Sequence, residues 1–351
     1  MIQLHTSTAP VKLASLAAVF LLVLMLSAVG CGTQTQPEAQ KLEGRTMGTS
    51  WHATLVHAPN NVDFQQLIQD AVEQVDRRMS TYREDSELSR FNRAGAGEFA
   101  GLTAMTMKVL VGALHIAKCS DGAFDPTILP LVEGWGFGAK QGSEQPSAAQ
   151  IEQWKTEMGW QQVLLKENGT VHKSKATLRI DLSANAKGFG VDHAAAAIEN
   201  AGCTNFLIEV GGELRSAGTK ADGSAWRIGI DRPVPSVLAA HQLQQVIQIS
   251  DWSVATSGDY RNYREVDGKR VSHLIDPRSG YPISHNLVSV TVVAGDCMTA
   301  DGLATAISIL GVDEGLKLLL QFPGSHAYFI LRDGDTFTVR ESEGFAPFKV
   351  E

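Results

Sequence analysis

Apolar positions change their period several times along the chain. In VDFQQLIQDAVEQVDRRM, residues Phe64, Leu67, Ile68, Ala71, Val72, Val75 and Met79 recur at helical spacing, the clearest amphipathic helix in the sequence. A second helix is expected from about Thr103 to Lys118, and a third over GFGVDHAAAAIENAG, 188–202. MTADGLATA, 298–306, begins a fourth; its residues are mostly apolar or small, yet Asp301 and Thr305, four apart, share one face. Between the helices, alternation or short apolar runs predict strands: RTMGTSWHATLV, NFLIEV, WRIGIDRP, LQQVIQIS, WSVATSG and LVSVTVVA. Around the Asn-Gly pair at 168–169, QQVLLKENGTVHKSKATLRIDLS reads as strand, turn, strand, strand. YREVDGKRVSHLID reads as a hairpin around the Asp-Gly pair at 267–268, and HAYFILRDGDTFTVR as another. STYREDSELSRFN reads as a polar turn, and GAFDPTILPLVEGWGFG as a loop with little regular structure. Ser147, in the polar QGSEQPSAAQ, is placed to cap a short helix. Many neighbouring strands joined by short turns predict an α+β fold: largely antiparallel sheets with a few packed helices.

The N-terminus stands apart from this pattern. Lys12 precedes LASLAAVFLLVLMLSAVG, which ends at Cys31 and gives way to the polar GTQTQPEAQ. That is the layout of an export signal, short for a membrane span. Ala28, Val29 and Gly30 before Cys31 resemble a bacterial lipobox, with Ala28 where leucine is usual. An ordinary cleaved signal with an incidental cysteine is the alternative. The expected organisation is a lipoprotein signal peptide over 1–31 ending at a lipidated Cys31, a linker over 32–43 and one domain over 44–348. Several acyl chains on Cys31 would give stable membrane anchoring.

Composition narrows the function classes. The 351 residues are 44% hydrophobic and 19% charged, ordinary for a globular chain, and the net charge of -8 argues against a nucleic-acid partner. Cys119, Cys203 and Cys297 sit in no CxxC or Cys/His spacing, so they read as small buried hydrophobes rather than zinc ligands. No GxGxxG or Walker-type loop appears.

Four stretches carry candidate chemistry. Asp301 and Thr305 offer hard oxygens, which suit Mg²⁺ or Ca²⁺. Two ligands are too few for a closed cage but suit Mg²⁺, which keeps waters and completes its shell with carbonyls or phosphates. In a first helical turn the macrodipole would favour the ionised aspartate. The bland alternative is a capping aspartate and a threonine bonded back to a carbonyl. In IDLSANAKGFGVD, Lys187-Gly188 opens a helix as a phosphate clamp would, or as an ordinary surface lysine does. In HLIDPRSGYP, His273 stands before an Asp-Pro turn, either as a general base or as a structural histidine. Tyr82 and Phe124, the latter beside a glycine-rich run, could form a slot for a flat heterocycle or simply cap the core.

These stretches also occur in the order of one family. MGTS at 47–50, STYREDSELSRFN, GAFDPTILPLVEGWGFG, IDLSANAKGFGVD, GGE at 211–213, SGDY from 257, HLIDPRSGYP and MTADGLATA together resemble the ApbE family of FAD:protein FMN transferases, bacterial enzymes often exported as lipoproteins. The resemblance implies that FAD is bound in a cleft with Mg²⁺ at its pyrophosphate. It implies transfer of FMN to a threonine or serine hydroxyl of a target flavoprotein through a phosphodiester bond, with release of AMP. By similarity, Asp301 and Thr305 are side-chain metal ligands and the carbonyl of Ala184 is a third. Met47, Tyr82, Ala123, Phe124, Asp125, Asp181, Lys187 and Ile275 are expected to line the FAD site, although some relatives carry glutamate where Lys187 stands. His273 matches the histidine proposed as catalytic. The implied partners are acceptor subunits of membrane redox complexes, met at the periplasmic side of the inner membrane. Two other activities fit the same residues: an Mg²⁺-dependent FAD pyrophosphatase and a non-catalytic flavin-binding lipoprotein. Intact Asp301, Thr305 and His273 argue against the second.

Overall fold

The computed structural model describes residues 39–137, 145–234, 242–258, 263–266 and 269–350. The export signal, Cys31 and the Asp-Gly turn at 267–268 lie outside them. In chain order the first half forms β1 (Gln40–Thr46), β2 (Thr49–Val56), α1 (Phe64–Met79), α2 (Glu87–Arg93), β3 (Gly97–Phe99), α3 (Ala104–Cys119), α4 (Leu129–Gly134), α5 (Ala148–Thr156), β4 (Val163–Leu165) and β5 (Val171–Lys173). Then come α6 (Ser183–Asn200), β6 (Asn205–Val210), β7 (Glu213–Ala217), β8 (Trp226–Asp231), β9 (Leu243–Ile249), β10 (Ser253–Gly258), β11 (Tyr263–Val266) and β12 (Lys269–Ser272). β13 (Ile275–Asp276), β14 (Tyr281–Pro282), β15 (Leu287–Ala294), α7 (Cys297–Leu310), α8 (Val312–Leu319), β16 (His326–Asp333) and β17 (Thr336–Glu341) complete it.

Eight strands pair in the order β1-β2-β6-β7-β10-β15-β16-β17, every neighbour antiparallel. On one face, Trp51, Leu55, Phe206 and Ile208 pack against Phe64, Ile68 and Val72 of α1 and Val191 and Ile198 of α6. Further along that face, Val290, Val292 and Phe329 meet Val109 and Ala113 of α3 and Leu303 and Ile307 of α7. The other face, with Val254, Val293 and Ile330, is covered by Trp226, Ile247 and Ile249 of the separate β8–β9 hairpin and by Phe345 and Phe348 of the tail. With both faces covered, all eight residues of β15 are buried. That is why LVSVTVVA is nearly continuous in its apolar character rather than alternating. The architecture is the expected α+β arrangement of antiparallel sheet and packed helices.

Local expectations need several corrections. RTMGTSWHATLV is not one strand: Met47 and Gly48, with φ of 48° and 74°, turn the chain between β1 and β2, as a primed hairpin turn requires. STYREDSELSRFN contains helix α2, started by Ser86, whose hydroxyl oxygen accepts from the Ser89 N–H (2.9 Å), and held by buried Leu88 and Phe91. GAFDPTILPLVEGWGFG contains α4. The third helix begins at Ser183, not 188, so LSANAKG forms its N-cap and nearly its first two turns. No third strand forms over 176–182; there Asn92 donates to the Ile180 carbonyl (2.8 Å) and accepts from the Ile180 N–H (2.7 Å). Ser147 does cap α5, in a reciprocal box with Gln150. The three cysteines of the domain are free; Cys203 and Cys297 are buried and Cys119 only half-buried. No helix among the described residues is long and apolar enough to cross a membrane.

Candidate active site

Helices α6 and α7 cross at very close range. A Cβ on Gly188 would lie 2.3 Å from the Cys297 carbonyl oxygen and 2.8 Å from the Asp301 Cβ, so only glycine fits. The Gly188 N–H donates to Asp301 Oδ2 (2.9 Å). One turn along α6, the Asp192 carboxylate accepts from the Cys297 and Met298 N–H groups, both at 2.9 Å, and pairs with Arg215 at 3.1 Å. Asp192 therefore pins the start of α7 to α6. The N-cap of α7 is Asp296, accepting from the Thr299 N–H (2.8 Å). The capping alternative for Asp301 thus fails, and so does its first-turn placement: it lies in the second turn, beyond the strongest part of the dipole. Asp301 is buried, at 5% exposure. Burial holds its carboxyl above the ordinary range, against the pull of Lys187 and the Gly188 N–H.

Lys187 does not stand free as a phosphate clamp. Its ammonium meets Glu213 Oε1 at 2.7 Å. Glu213 is buried, and its Oε2 has no hydrogen-bond partner among the described residues. Burial disfavours the Lys187 charge, but the Asp301 and Glu213 carboxylates outweigh that and hold the ammonium firmly protonated. Burial and the nearby Asp301 charge push Glu213 up in turn, with Lys187 opposing them. Glu213 is a residue that sequence reasoning left without a role, although it ends the GGE triplet.

The crossing forms one wall of a cleft of about 830 Å³. That is within the roughly 300–1,000 Å³ of small-molecule sites. Tyr82, Ala123, Phe124, Asp125, Asp181, Ala184, Lys187, His273, Ile275, Asp301 and Thr305 all line it. Met47 is not among the lining residues; it packs against the main core, its Cε 2.9 Å from where a Cβ on Gly190 would be. Asp125 is committed to its own turn, accepting from the Thr127 N–H (2.8 Å), the Thr127 hydroxyl (2.6 Å) and the Trp160 N–H (3.2 Å). Asp181 does likewise with the Ser183 N–H (2.8 Å) and hydroxyl (2.6 Å). Tyr82 stands at the cleft with 72% of its surface exposed. Phe137, unremarked in the sequence, lies edge-on to His273 at 6.4 Å between ring centres. Ile309 also lines the cleft, and here the sequence held a signal: 301, 305 and 309 form one helical stripe.

The charge balance of this cleft decides what it can hold. Its described lining has four carboxylates (Asp125, Asp181, Glu213 and Asp301) against one lysine and one histidine. A diphosphate entering such a place meets repulsion unless a cation comes with it. No group of three or more His, Cys, Asp or Glu side chains that could hold a metal occurs among the described residues. The set available is the Asp301 carboxylate, the Thr305 hydroxyl and the Ala184 carbonyl, three hard oxygens on one cleft, which fits an ion such as Mg²⁺. A regular helix would aim the Gly188 N–H at the Ala184 carbonyl. The Gly188 N–H also donates to Asp301 Oδ2, and a carbonyl oxygen that accepts one helical bond keeps a second lone pair for an ion.

Comparison with known proteins agrees with this geometry. The model of the ApbE family matches residues 47–330. A FAD:protein FMN transferase of Vibrio cholerae is 38% identical over 333 residues, 93% of this chain and 97% of that protein. Its counterpart in Escherichia coli is 37% identical over 348 residues, 96% and 98% of the two chains. Among solved structures, the flavin transferase ApbE from Vibrio cholerae aligns with a TM-score of 0.80 at 36% identity, covering 89% of this chain and 99% of that one.

Proposed function

Since the chain belongs to the ApbE family, we propose that it transfers FMN from FAD to a threonine or serine hydroxyl of an acceptor flavoprotein. The observation that carries this reading is a single cleft that joins apolar walls for a flat ring system, a set of hard-oxygen donors and a histidine. In the reaction, the acceptor oxygen attacks the FMN-side phosphorus in line. A new P–O bond forms as the P–O bond to AMP breaks, and AMP departs with that oxygen. An imidazole nitrogen of His273 takes the hydroxyl proton, a task worth roughly a hundredfold or more. Phe124 and Tyr82 are the aromatic surfaces for the isoalloxazine ring, while Asp125 and Asp181 keep the turns that frame the cleft. Mg²⁺, held by Asp301, Thr305 and the Ala184 carbonyl, would supply charge neutralisation at the diphosphate. The excess of cleft carboxylates over cations supports that requirement.

The test is incubation of the purified protein with FAD, Mg²⁺ and a threonine-containing acceptor peptide, followed by intact-mass spectrometry and chromatography. The expected product is a peptide heavier by one phosphodiester-linked FMN, formed with equimolar AMP and abolished by EDTA. AMP and free FMN beside an unmodified peptide would instead make the protein a pyrophosphatase. His273→Ala should keep FAD binding and lose about a hundredfold in transfer; a wild-type rate would remove the histidine from the mechanism.

The leader and Cys31 support a further part of this proposal. The protein acts from the periplasmic side of the inner membrane, lipid-anchored, on subunits of membrane redox complexes. Labelled palmitate should enter the wild-type chain but not Cys31→Ser; no label in the wild type sinks the anchor.

A further inference from the structure

We propose that Lys187 is a built-in competitor for the divalent cation. Paired with Glu213 and on the same cleft as Asp301, its ammonium offsets part of the negative charge of the buried carboxylates in the metal-free protein and weakens cation binding, while Glu213 keeps it off the Asp301 donor set. This rests on the reading that Asp301, Thr305 and the Ala184 carbonyl take a divalent cation.

Three observations carry it. First, the Lys187–Glu213 contact is short, 2.7 Å, yet incomplete: Glu213 is buried with Oε2 unpartnered. A buried ion pair that serves stability needs its remaining lone pairs satisfied, because each ion has lost its water. This pair leaves an acceptor unmet at a ligand cleft. Second, Lys187 and Asp301 line the same cleft at the same helix crossing, where the residue after the lysine, Gly188, gives its N–H to Asp301 Oδ2. Both the Asp301 and the Glu213 carboxylates favour the charged ammonium. Third, the Lys187 side chain remains about a third open, at 32% exposure, whereas Glu213 is fixed at 5%. The movable partner is the cation.

The charge arithmetic gives the direction of the effect. Two carboxylates and one ammonium sum to -1, and a divalent ion brings the cluster to +1. Without the ammonium the carboxylates sum to -2, and the same ion neutralises them. Removing the positive charge therefore favours the metal. Removing the Glu213 charge has the opposite consequence, because it deletes an anion and frees the ammonium to close on Asp301.

The experiment is calorimetric titration of Mg²⁺ into EDTA-stripped, dialysed protein, with and without bound FAD, for the wild type, Lys187→Met and Glu213→Gln. Metal-free thermal unfolding of the same proteins accompanies it. Lys187→Met should bind Mg²⁺ about tenfold tighter or more, as expected for a unit charge removed a few ångströms away. Its metal-free form should melt lower and gain more from Mg²⁺ than the wild type does. Glu213→Gln should bind about tenfold weaker. A pair serving structure alone would lower affinity in both variants alike, and that result overturns the proposal. So does a Lys187→Met affinity equal to the wild type. Should Lys187→Met fail to fold, Glu213→Gln decides: tighter binding there refutes the competitor role. Absence of Mg²⁺ binding by the wild type under both conditions refutes the metal site itself, an outcome distinct from a wild type that binds while the variants do not diverge.

Discussion

Lys173 and Lys187 are held by the fold in opposite ways. Lys173, at the end of β5, is completely buried. Its ammonium donates to the carbonyls of Phe91 (3.0 Å), Asn92 (3.1 Å) and Ala94 (2.7 Å), the last acceptors of α2, and lies 5.2 Å from the centre of the Phe91 ring. Three donors meet three acceptors, and the helix end is closed. Burial, and then the charge of Arg179, lower its pKa, but each of its three donors has an acceptor. Lys187 faces two carboxylates at a cleft, and one oxygen of its partner Glu213 stays unmet. Burial of a charge, then, does not distinguish scaffold from site. What differs is the partner set: complete at Lys173, and short by one Glu213 oxygen at Lys187.

The contrast can be broken at either end. Asp301→Ala, on the unsatisfied side, should have the largest effect, lowering FMN transfer about a thousandfold through loss of the charge stabilisation that the proposed cation would supply. Its unfolding free energy should hold or rise, since a buried carboxylate with a raised pKa is removed. Urea unfolding alongside transfer rates checks both halves. Lys173→Met, on the satisfied side, should do the reverse. It should cost about 3 kcal/mol of stability by orphaning the α2 carbonyls, while the folded fraction transfers FMN at nearly the wild-type rate. A stability loss under about 1 kcal/mol would erase the distinction. Asp192→Ala belongs between the two, because it releases two N–H groups at the start of α7. It should lose about 1–2 kcal/mol and bind Mg²⁺ more weakly, both visible in calorimetry.

The smallest expected effect concerns pH. His193, stacked on Phe189 at 5.9 Å, has its pKa held below 6.5, by burial first and then by Arg78 and Lys108. The unfolded chain then binds more protons than the folded one, so stability rises with pH up to about 6.5 and levels off above it. His193→Gln should flatten that acid limb, read as melting temperature across roughly pH 5 to 8.

What the sequence disclosed follows the same division. Where a residue's fate is decided by its own helix or strand, it was legible. The stripe on α1 and the shared face of Asp301 and Thr305 needed nothing beyond their spacing. Where the partner is distant, the pattern was silent. Helix α2 has only two large apolar residues, Leu88 and Phe91, and its C-terminus is closed by a lysine about eighty positions away. The early start of α6 depends on buried Asn185, which donates to the Val109 carbonyl at 3.1 Å and so looked like turn chemistry. The expected strand over 176–182 gave way to Asn92, which takes both backbone groups of Ile180. Glu213 appeared within a motif, but nothing local tells that its partner is Lys187.

The close crossing at Gly188 has a consequence in time as well as in space. The bond from Gly188 to Asp301 spans 113 positions of sequence, and that from Cys297 to Asp192 spans 105. Between them lie strands β6 to β15, which must be in place before the two helices can touch. Closing loops of that length is entropically slow, and contacts so remote form late. A fragment that ends before α7 lacks Asp301 and Thr305, and so lacks half of the proposed cation set. During refolding, competence for the proposed cation should therefore emerge together with the last cooperative phase, and a nascent chain should stay without that site until α7 has docked on α6.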